Sequence, residues 1–145
     1  MRDSYPSGLP SGALLELGID EFATVGDNLG HLLADRVLTA IGQVISNGAG
    51  QGTLLARTGS ENFLLLLPGR SPAEALAQAE RIRLSVERCR VRRQDSETAV
   101  TTVTVSIGAV TLRGGEVLAV SLERADQAMA RSRQEGGNRI TVGGD

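Results

Sequence analysis

The organisation of the chain is clearest in residues 57–67, which read Arg57-Thr-Gly-Ser-Glu-Asn-Phe-Leu-Leu-Leu-Leu67 and are followed by Pro68 and Gly69. Apolar residues 54–56 precede this stretch, Gly59 and Ser60 are typical turn residues, and an apolar run begins at Phe63. The pattern predicts a β-hairpin whose return strand is covered on both faces and lies at the centre of a sheet. Its polar turn would then be held rigidly at the edge of that sheet, where chemistry could take place.

The composition limits the possible functions. A chain of 145 residues fits one domain with a sizeable core. Its net charge of -2 and aromatic content of 2% give no reason to expect nucleic acid as a partner. No apolar run approaches the roughly 18 residues of a membrane helix, so no membrane association is expected. The single cysteine, Cys89, fits a reducing cytoplasm.

The rest of the chain predicts an α/β (α+β) domain with the element order β-α-α-β-β-α-β-α-β. Proline and glycine are frequent in residues 1–12, which predicts a linker or a flexible N-terminus, and the single domain is expected over residues 13–145. Residues 13–19 form an apolar strand interrupted by Glu16 and Gly18, and the following helix should break at residues 26–28. Ser71-Pro72, with Glu74 two residues further on, predicts a helix that begins with a capping box. A strand over 98–112, a helix over 121–133 and a strand over 139–142 complete the order.

Several ordered segments carry a resemblance to a known family. They are residues 18–23 (GIDEFA), 26–35 (GDNLGHLLAD), 59–63 (GSENF), 103–109 (VTVSIGA), 124–128 (RADQA) and 136–139 (GGNR). Together they resemble the GGDEF family, the diguanylate cyclase domains. The resemblance implies a five-stranded central sheet with a β-hairpin, surrounded by helices as in nucleotide cyclases. It also implies cyclic di-GMP signalling, commonly beside an EAL domain in a longer chain.

The resemblance also implies where a metal would lie. In the family, Mg²⁺ is held by the first aspartate of the early strand and by the third residue of the hairpin motif. Here the first position is Gly18, which has no side chain, and the third is Glu61, the remaining candidate metal ligand. An acid in a hairpin turn is, alternatively, simply solvated. The fourth motif position, normally glutamate, is Asn62, which cannot carry charge. We therefore expect no cofactor and no catalytic residue among the motif positions Gly59, Ser60, Glu61, Asn62 and Phe63.

The nucleotide contacts of the family are also changed. The lysine of its final helix is Arg133, which keeps the charge, and Asp35 stands where the family contacts guanine. These two residues are the nucleotide-binding candidates, although Asp35 also suits the dipole of its helix. Other contact positions are Ala23, Gly26 and Gly137, so GTP binding is expected to be weak or absent. The inhibitory-site motif Arg-x-x-Asp would fall at residues 50–53, which lack both charged residues, so no inhibitory site for cyclic di-GMP is expected.

An arginine cluster follows the third predicted helix. Arg88, Arg90, Arg92 and Arg93 form a candidate interaction surface, since guanidinium groups suit acidic proteins and phosphates. The alternative is a helix that ends in solvated cations.

Taken together, these features predict a protein that is not an enzyme. We expect a GGDEF-like domain without cyclase activity, which acts in the cytoplasm as a regulatory or protein-interaction module with a protein partner or a neighbouring EAL domain. The alternative expectation is an allosteric sensor domain that binds GTP or GDP.

Overall fold

The structure, a computed structural model, describes residues 12–92 and 100–144, without the side chains of residues 28 and 29. The expected linker lies almost wholly outside the described residues and stays a prediction. The helices and strands, in chain order, are β1 (Gly12–Ile19), α1 (Phe22–Leu29), α2 (His31–Ala49), β2 (Leu54–Arg57), β3 (Asn62–Pro68), α3 (Pro72–Arg88), β4 (Val91–Arg92), β5 (Val100–Thr101), β6 (Val105–Thr111), α4 (Leu118–Gln134) and β7 (Arg139–Val142).

The main sheet has five strands in the order β2-β3-β1-β6-β7. Strand β1 is antiparallel to β3 and β6, and β7 is parallel to β6. All eight residues of β1 are buried, so β1 is the central strand. The prediction that the return strand β3 lies at the centre is wrong, because its other neighbour, β2, is a mostly exposed edge strand. The predicted fold class, an α/β domain with a five-stranded sheet and a β-hairpin, is confirmed.

Two predicted strand features differ from the structure. Glu16 and Gly18 do not interrupt β1, since both keep their partners in β3 and β6. The strand predicted over 98–112 is divided, because residues 102–104 leave the ladder and the Thr104 hydroxyl and carbonyl bind Asp20 instead. Its first part, β5, pairs with β4 in a small second sheet that the sequence pattern did not predict.

Three helix boundaries also differ. Helix α1 continues through residues 26–28 and ends where Gly30 adopts a φ of 94°. Helix α4 begins at Leu118 rather than Ser121, and the Ser121 hydroxyl donates to Glu116 Oε1 at 2.7 Å. Helix α3 ends at Arg88 rather than near Arg93, while its predicted capping box between Ser71 and Glu74 is confirmed.

The helices cover the two faces of the sheet. Helices α2 and α3 pack on the face formed by Leu15, Leu17 and Ile19 of β1, where the larger apolar core lies. Helix α4 packs on the opposite face with Leu14 and Val110. It approaches so closely that a Cβ on Gly108 would collide with the backbone of α4. The carboxyl end of α4 is thereby held over the end of β1. None of the helices in the described parts of the chain is long and apolar enough to cross a membrane.

Candidate functional site

The hairpin turn is fixed to the end of the central strand. The amide of Thr58 donates to Asn62 O at 3.0 Å, which closes the hairpin, and the amide of Ile19 donates to Glu61 O at 3.1 Å. Arg57 donates to Ser60 O at 3.0 Å, and its guanidinium lies 5.9 Å from the centre of the Phe63 ring. The structure thus places residues 58–61 at the edge of the sheet, as predicted, and the rigidity of the turn stays a prediction.

Gly18 lies beside this turn, in a place that other side chains fill. It pairs with Asn62 on one side and with Ser106 on the other. An ideal Cβ on Gly18 would lie 2.9 Å from both Cζ of Arg133 and Sδ of Met129. The side chains of Arg133 and Met129, both in α4, thus occupy the space into which the side chain of a residue other than glycine at position 18 would project.

Arg133 joins the two strand ends. Its Nη2 donates to Ile19 O at 3.2 Å and lies 3.6 Å from Glu61 Oε2. The side chains of Arg133 and Glu61 are 35% and 31% exposed, so the pair is partly shielded from water. The candidate phosphate contact and the candidate metal ligand, which the sequence pattern treats separately, therefore meet in one ion pair.

Asn62 completes this group. Its Oδ1 atom is buried and has no hydrogen-bond partner within the described residues. A buried acceptor without a donor is uncommon in folded proteins. Because Asn62 lies directly opposite Gly18, its side chain is on the same face of the sheet as the space beside Gly18 that Arg133 fills.

Asp20, the first residue after β1, has a structural position. Its carboxylate accepts hydrogen bonds from the hydroxyls of Thr104 and Ser106, each at 2.6 Å, and from the Asn138 amide at 2.9 Å. Asn138 also accepts from Arg83 and donates to Glu87, both in α3. These contacts fix the turn after α4, and both Asp20 oxygens accept hydrogen bonds in them.

A buried acid lies on the same face of β1 as Gly18. Glu16 is 6% exposed, and burial, followed by the neighbouring charge and hydrogen bond of Asp126, raises the pKa of Glu16 to about 7. Arg133 acts in the opposite direction on this pKa. Glu16 therefore belongs to the electrostatic surroundings of Arg133, a role that the sequence pattern did not reveal.

Asp35 lies elsewhere, in an open cleft of about 540 Å³ between α2 and the segment that contains β4. Arg36, Arg90 and Arg92 line the same cleft, and Arg36 donates to Arg92 O at 3.1 Å. The structure thus brings the candidate guanine contact together with part of the arginine cluster. Arg88 is exposed in the last turn of α3, and Arg93 lies outside the described residues.

The residues beside the turn do not fit a divalent cation as the family's ligands would. Gly18 offers no oxygen from a side chain, both Asp20 oxygens accept hydrogen bonds, and the Glu61 carboxylate faces a guanidinium. Among the described residues, no three or more His, Cys, Asp or Glu side chains are grouped as metal ligands. We therefore assign no role to a metal in the chemistry of this site.

Over residues 9–139 the chain matches the family described as "Diguanylate cyclase, GGDEF domain". The chain belongs to the GGDEF family. Its sequence is similar to diguanylate cyclase VdcA of Vibrio cholerae, with 33% identity over 88% of this chain and 38% of the relative. The GGDEF domain spans only about a third of the length of the curated relatives that it matches, 38%, 34% and 30% in three cases.

Solved structures also resemble this GGDEF domain, among them those of DgcB and SiaD. The GGDEF domain of DgcB from Caulobacter crescentus, solved in complex with c-di-GMP, gives a TM-score of 0.86 with 30% identity, over 91% of this chain and 77% of that one. Diguanylate cyclase SiaD from Pseudomonas aeruginosa, solved with its activator SiaC, gives 0.86 with 34% identity, over 91% of this chain and 50% of that one. Fold and family are both confirmed, and the chain is a GGDEF domain of the diguanylate cyclase family of cyclic di-GMP signalling.

The expectation that the chain is not an enzyme is wrong. The curated relatives that it matches are diguanylate cyclases, and SiaD, which its structure resembles, is one as well. The expectation counted each departure from the family pattern as an independent loss. The structure shows instead that positions 18 and 133 are coupled, because the Arg133 side chain fills the space beside Gly18.

Proposed function

We propose that this GGDEF domain binds GTP at the edge formed by the 58–61 turn and the end of β1, and that it takes part in the diguanylate cyclase reaction. In that reaction two GTP molecules are joined into cyclic di-GMP. The observation that carries the proposal is the ion pair of Arg133 and Glu61 beneath the turn. A triphosphate carries several negative charges, and a partly buried guanidinium is a suitable group to bind them.

The other residues of the edge support this proposal. The buried Asn62 Oδ1 atom lacks a donor within the described residues, and a ribose hydroxyl would supply one if the ligand displaced the atoms that cover it. The exposed Gly59 leaves the backbone of the turn open to a ligand, since nothing lies within 4 Å of its Cβ position. Asp20 binds β6 and the turn after α4, so it keeps the surrounding backbone in place.

Calorimetric titration of the chain with GTP tests the binding step, and mass spectrometry of the reaction mixture tests for cyclic di-GMP. We expect Arg133→Gln to lower the affinity for GTP about tenfold or more, since a charge-assisted hydrogen bond contributes about 1.5–3 kcal/mol. Arg131→Gln is the matched control, because Arg131 is an exposed cation of the same helix. Absence of heat with millimolar GTP would contradict the proposal.

A second proposed function concerns a protein partner. Among the residues that the structure describes, the cleft presents the cations Arg36, Arg90 and Arg92 beside the acid Asp35. Together with Arg88, and with Arg93 by sequence, it suits an acidic surface on an activator or on a neighbouring EAL domain. SiaD offers a parallel, since it is solved with an activator protein. Nucleotide binding at the turn would then regulate, or be regulated by, this contact.

Calorimetric titration with an isolated EAL domain tests the partner proposal. The double variant Arg90→Glu and Arg92→Glu is expected to lose binding, whereas Arg131→Glu is expected to keep it. Equal binding by both variants would exclude the cleft as the contact surface.

We place the reaction in the cytoplasm, where GTP is available. We also propose that residues 50–53, without an arginine or an aspartate, form no inhibitory site for cyclic di-GMP.

A further inference from the structure

The end of β1 presents two oxygen atoms to the same cationic nitrogen. Nη2 of Arg133 lies 3.2 Å from Ile19 O and 3.6 Å from Glu61 Oε2. In family members the resemblance places a divalent cation beside the residues that correspond to Gly18 and Glu61. In this chain the same place holds a guanidinium.

We infer that the guanidinium of Arg133 takes the place of the divalent cation in this GGDEF domain, so that the site binds the triphosphate without Mg²⁺. The inference rests on the proposed function for the identity of the ligand. Its structural part, the replacement of the cation by Arg133, stands on the contacts of the described residues alone.

The space that Gly18 leaves free supports the replacement of the divalent cation by Arg133. A carboxylate at position 18 would compete with Arg133, because an ideal Cβ there lies only 2.9 Å from the Arg133 Cζ atom. The absence of a side chain from Gly18 is therefore what allows the guanidinium to reach Ile19 O. The two residues form a matched pair, in which one change makes room for the other.

The ligands that Mg²⁺ requires and the charges around Arg133 also support the replacement of the divalent cation. Mg²⁺ requires oxygen ligands at about 2.1 Å in octahedral geometry. Glu61 would be its one carboxylate, and that carboxylate already pairs with Arg133. A divalent cation beside Ile19 O would also repel the guanidinium at close range. The negative charge of Glu61 favours the present position of Arg133.

The guanidinium has further N–H groups for a ligand. Arginine carries five donors, and one nitrogen, Nη2, makes both of the contacts described above. With 35% of the Arg133 side chain exposed, the remaining donors are available to phosphate oxygens that approach from the turn. Electrostatic binding of phosphate thus requires no metal ion at this position.

Two measurements test the inference. Calorimetry compares the affinity for GTP in EDTA with the affinity in magnesium. Electron paramagnetic resonance measures binding of Mn²⁺ alone to the chain. Three variants accompany the wild type: Gly18→Asp, Arg133→Gln and Glu61→Gln. Gly114→Asp is the control for an added acid, because Gly114 lies in a loop where nothing is within 4 Å of the Cβ position.

We expect the wild type to bind GTP in EDTA at least as tightly as in magnesium, and to leave the signal of free Mn²⁺ unchanged. Gly18→Asp displaces the ends of two flexible side chains, so it is expected to fold and to make GTP binding dependent on magnesium. Gly114→Asp should behave as the wild type.

Two results would overturn the inference: GTP binding that is lost in EDTA, or wild-type binding of Mn²⁺ that Glu61→Gln abolishes. A chain that binds neither GTP nor Mn²⁺ would contradict the proposed function, and with it the triphosphate part of the inference, but would agree with the structural part, the replacement of the cation by Arg133. The two proposals can therefore fail separately.

Discussion

Replacing Glu16 by glutamine is expected to stabilise the domain at alkaline pH far more than at acidic pH. Glu16 lies in the central strand, 6% exposed, and its pKa is raised from 4.5 to about 7. Burial is the main cause, the charge and hydrogen bond of Asp126 add to it, and Arg133 opposes it. Glutamine has nearly the same shape, keeps a donor for Asp126 and cannot ionise.

The sign follows from proton binding. Between about pH 4.5 and 7 the folded protein holds a proton on Glu16 that the unfolded chain has released. Stability from this group therefore falls as the pH rises through that window, and the full loss is present above pH 7. A shift from 4.5 to about 7 corresponds to about 3–4 kcal/mol at about 1.4 kcal/mol for each pH unit. About 2–3 kcal/mol of it falls between about pH 5 and pH 8.

Urea denaturation of the wild type and of Glu16→Gln at about pH 5 and pH 8 measures this difference. The free energy of unfolding of the variant, relative to the wild type, should be higher at pH 8 than at pH 5 by about 2 kcal/mol. Glu123→Gln, at an exposed position of α4, should show no such change. An equal effect of Glu16→Gln at both pH values would refute the reasoning, since it would mean that Glu16 titrates alike in the folded and unfolded states.

Three further predictions concern stability. Ser71→Ala removes the capping box of α3 and should cost about 1 kcal/mol in urea denaturation. Gly108→Ala forces a Cβ against the backbone of α4 and should cost about 2–3 kcal/mol, whereas Gly114→Ala, in open space, should be close to neutral. Hydrogen bonds from Arg124 and then Ser121 lower the pKa of Glu116 to about 2. The melting temperature lost in Glu116→Gln should therefore be largest above about pH 4.5 and should shrink as the pH falls towards 2.

The elements that depend on local chemistry could be predicted from the sequence. The capping box at Ser71, the hairpin turn at Gly59 and the last strand follow from short-range preferences, and the structure has all of them. The centre of the sheet could not be predicted in the same way. An apolar run such as that of β3 indicates burial, but which of two buried strands is central depends on pairings distant in sequence. Because the exposed edge strand β2 lies on one side of β3, the central strand is β1.

The individual site residues could be found by comparison with the family, but their contacts could not. Asp20 is an example, because its partners Thr104, Ser106 and Asn138 are far away in the chain. Glu16 did carry a signal: it lies two residues before Gly18, and positions two apart in a strand share a face. An acid two residues before Gly18 in an otherwise apolar strand therefore predicts a polar side chain on the face of β1 that α4 covers.

The coupling of positions 18 and 133 shows why residues that differ from a family pattern are best judged in contact pairs. Taken alone, Gly18 removes a carboxylate, and taken alone, Arg133 merely keeps the charge of a lysine. In the fold the two lie against each other, and the longer, planar guanidinium reaches Ile19 O and Glu61 only because no Cβ stands in its way. Arginine differs from lysine here, since its several N–H donors permit contacts with the protein and with a ligand at once. The Arg133 side chain therefore supplies a positive charge at the end of β1, where the family resemblance places the charge of a divalent cation.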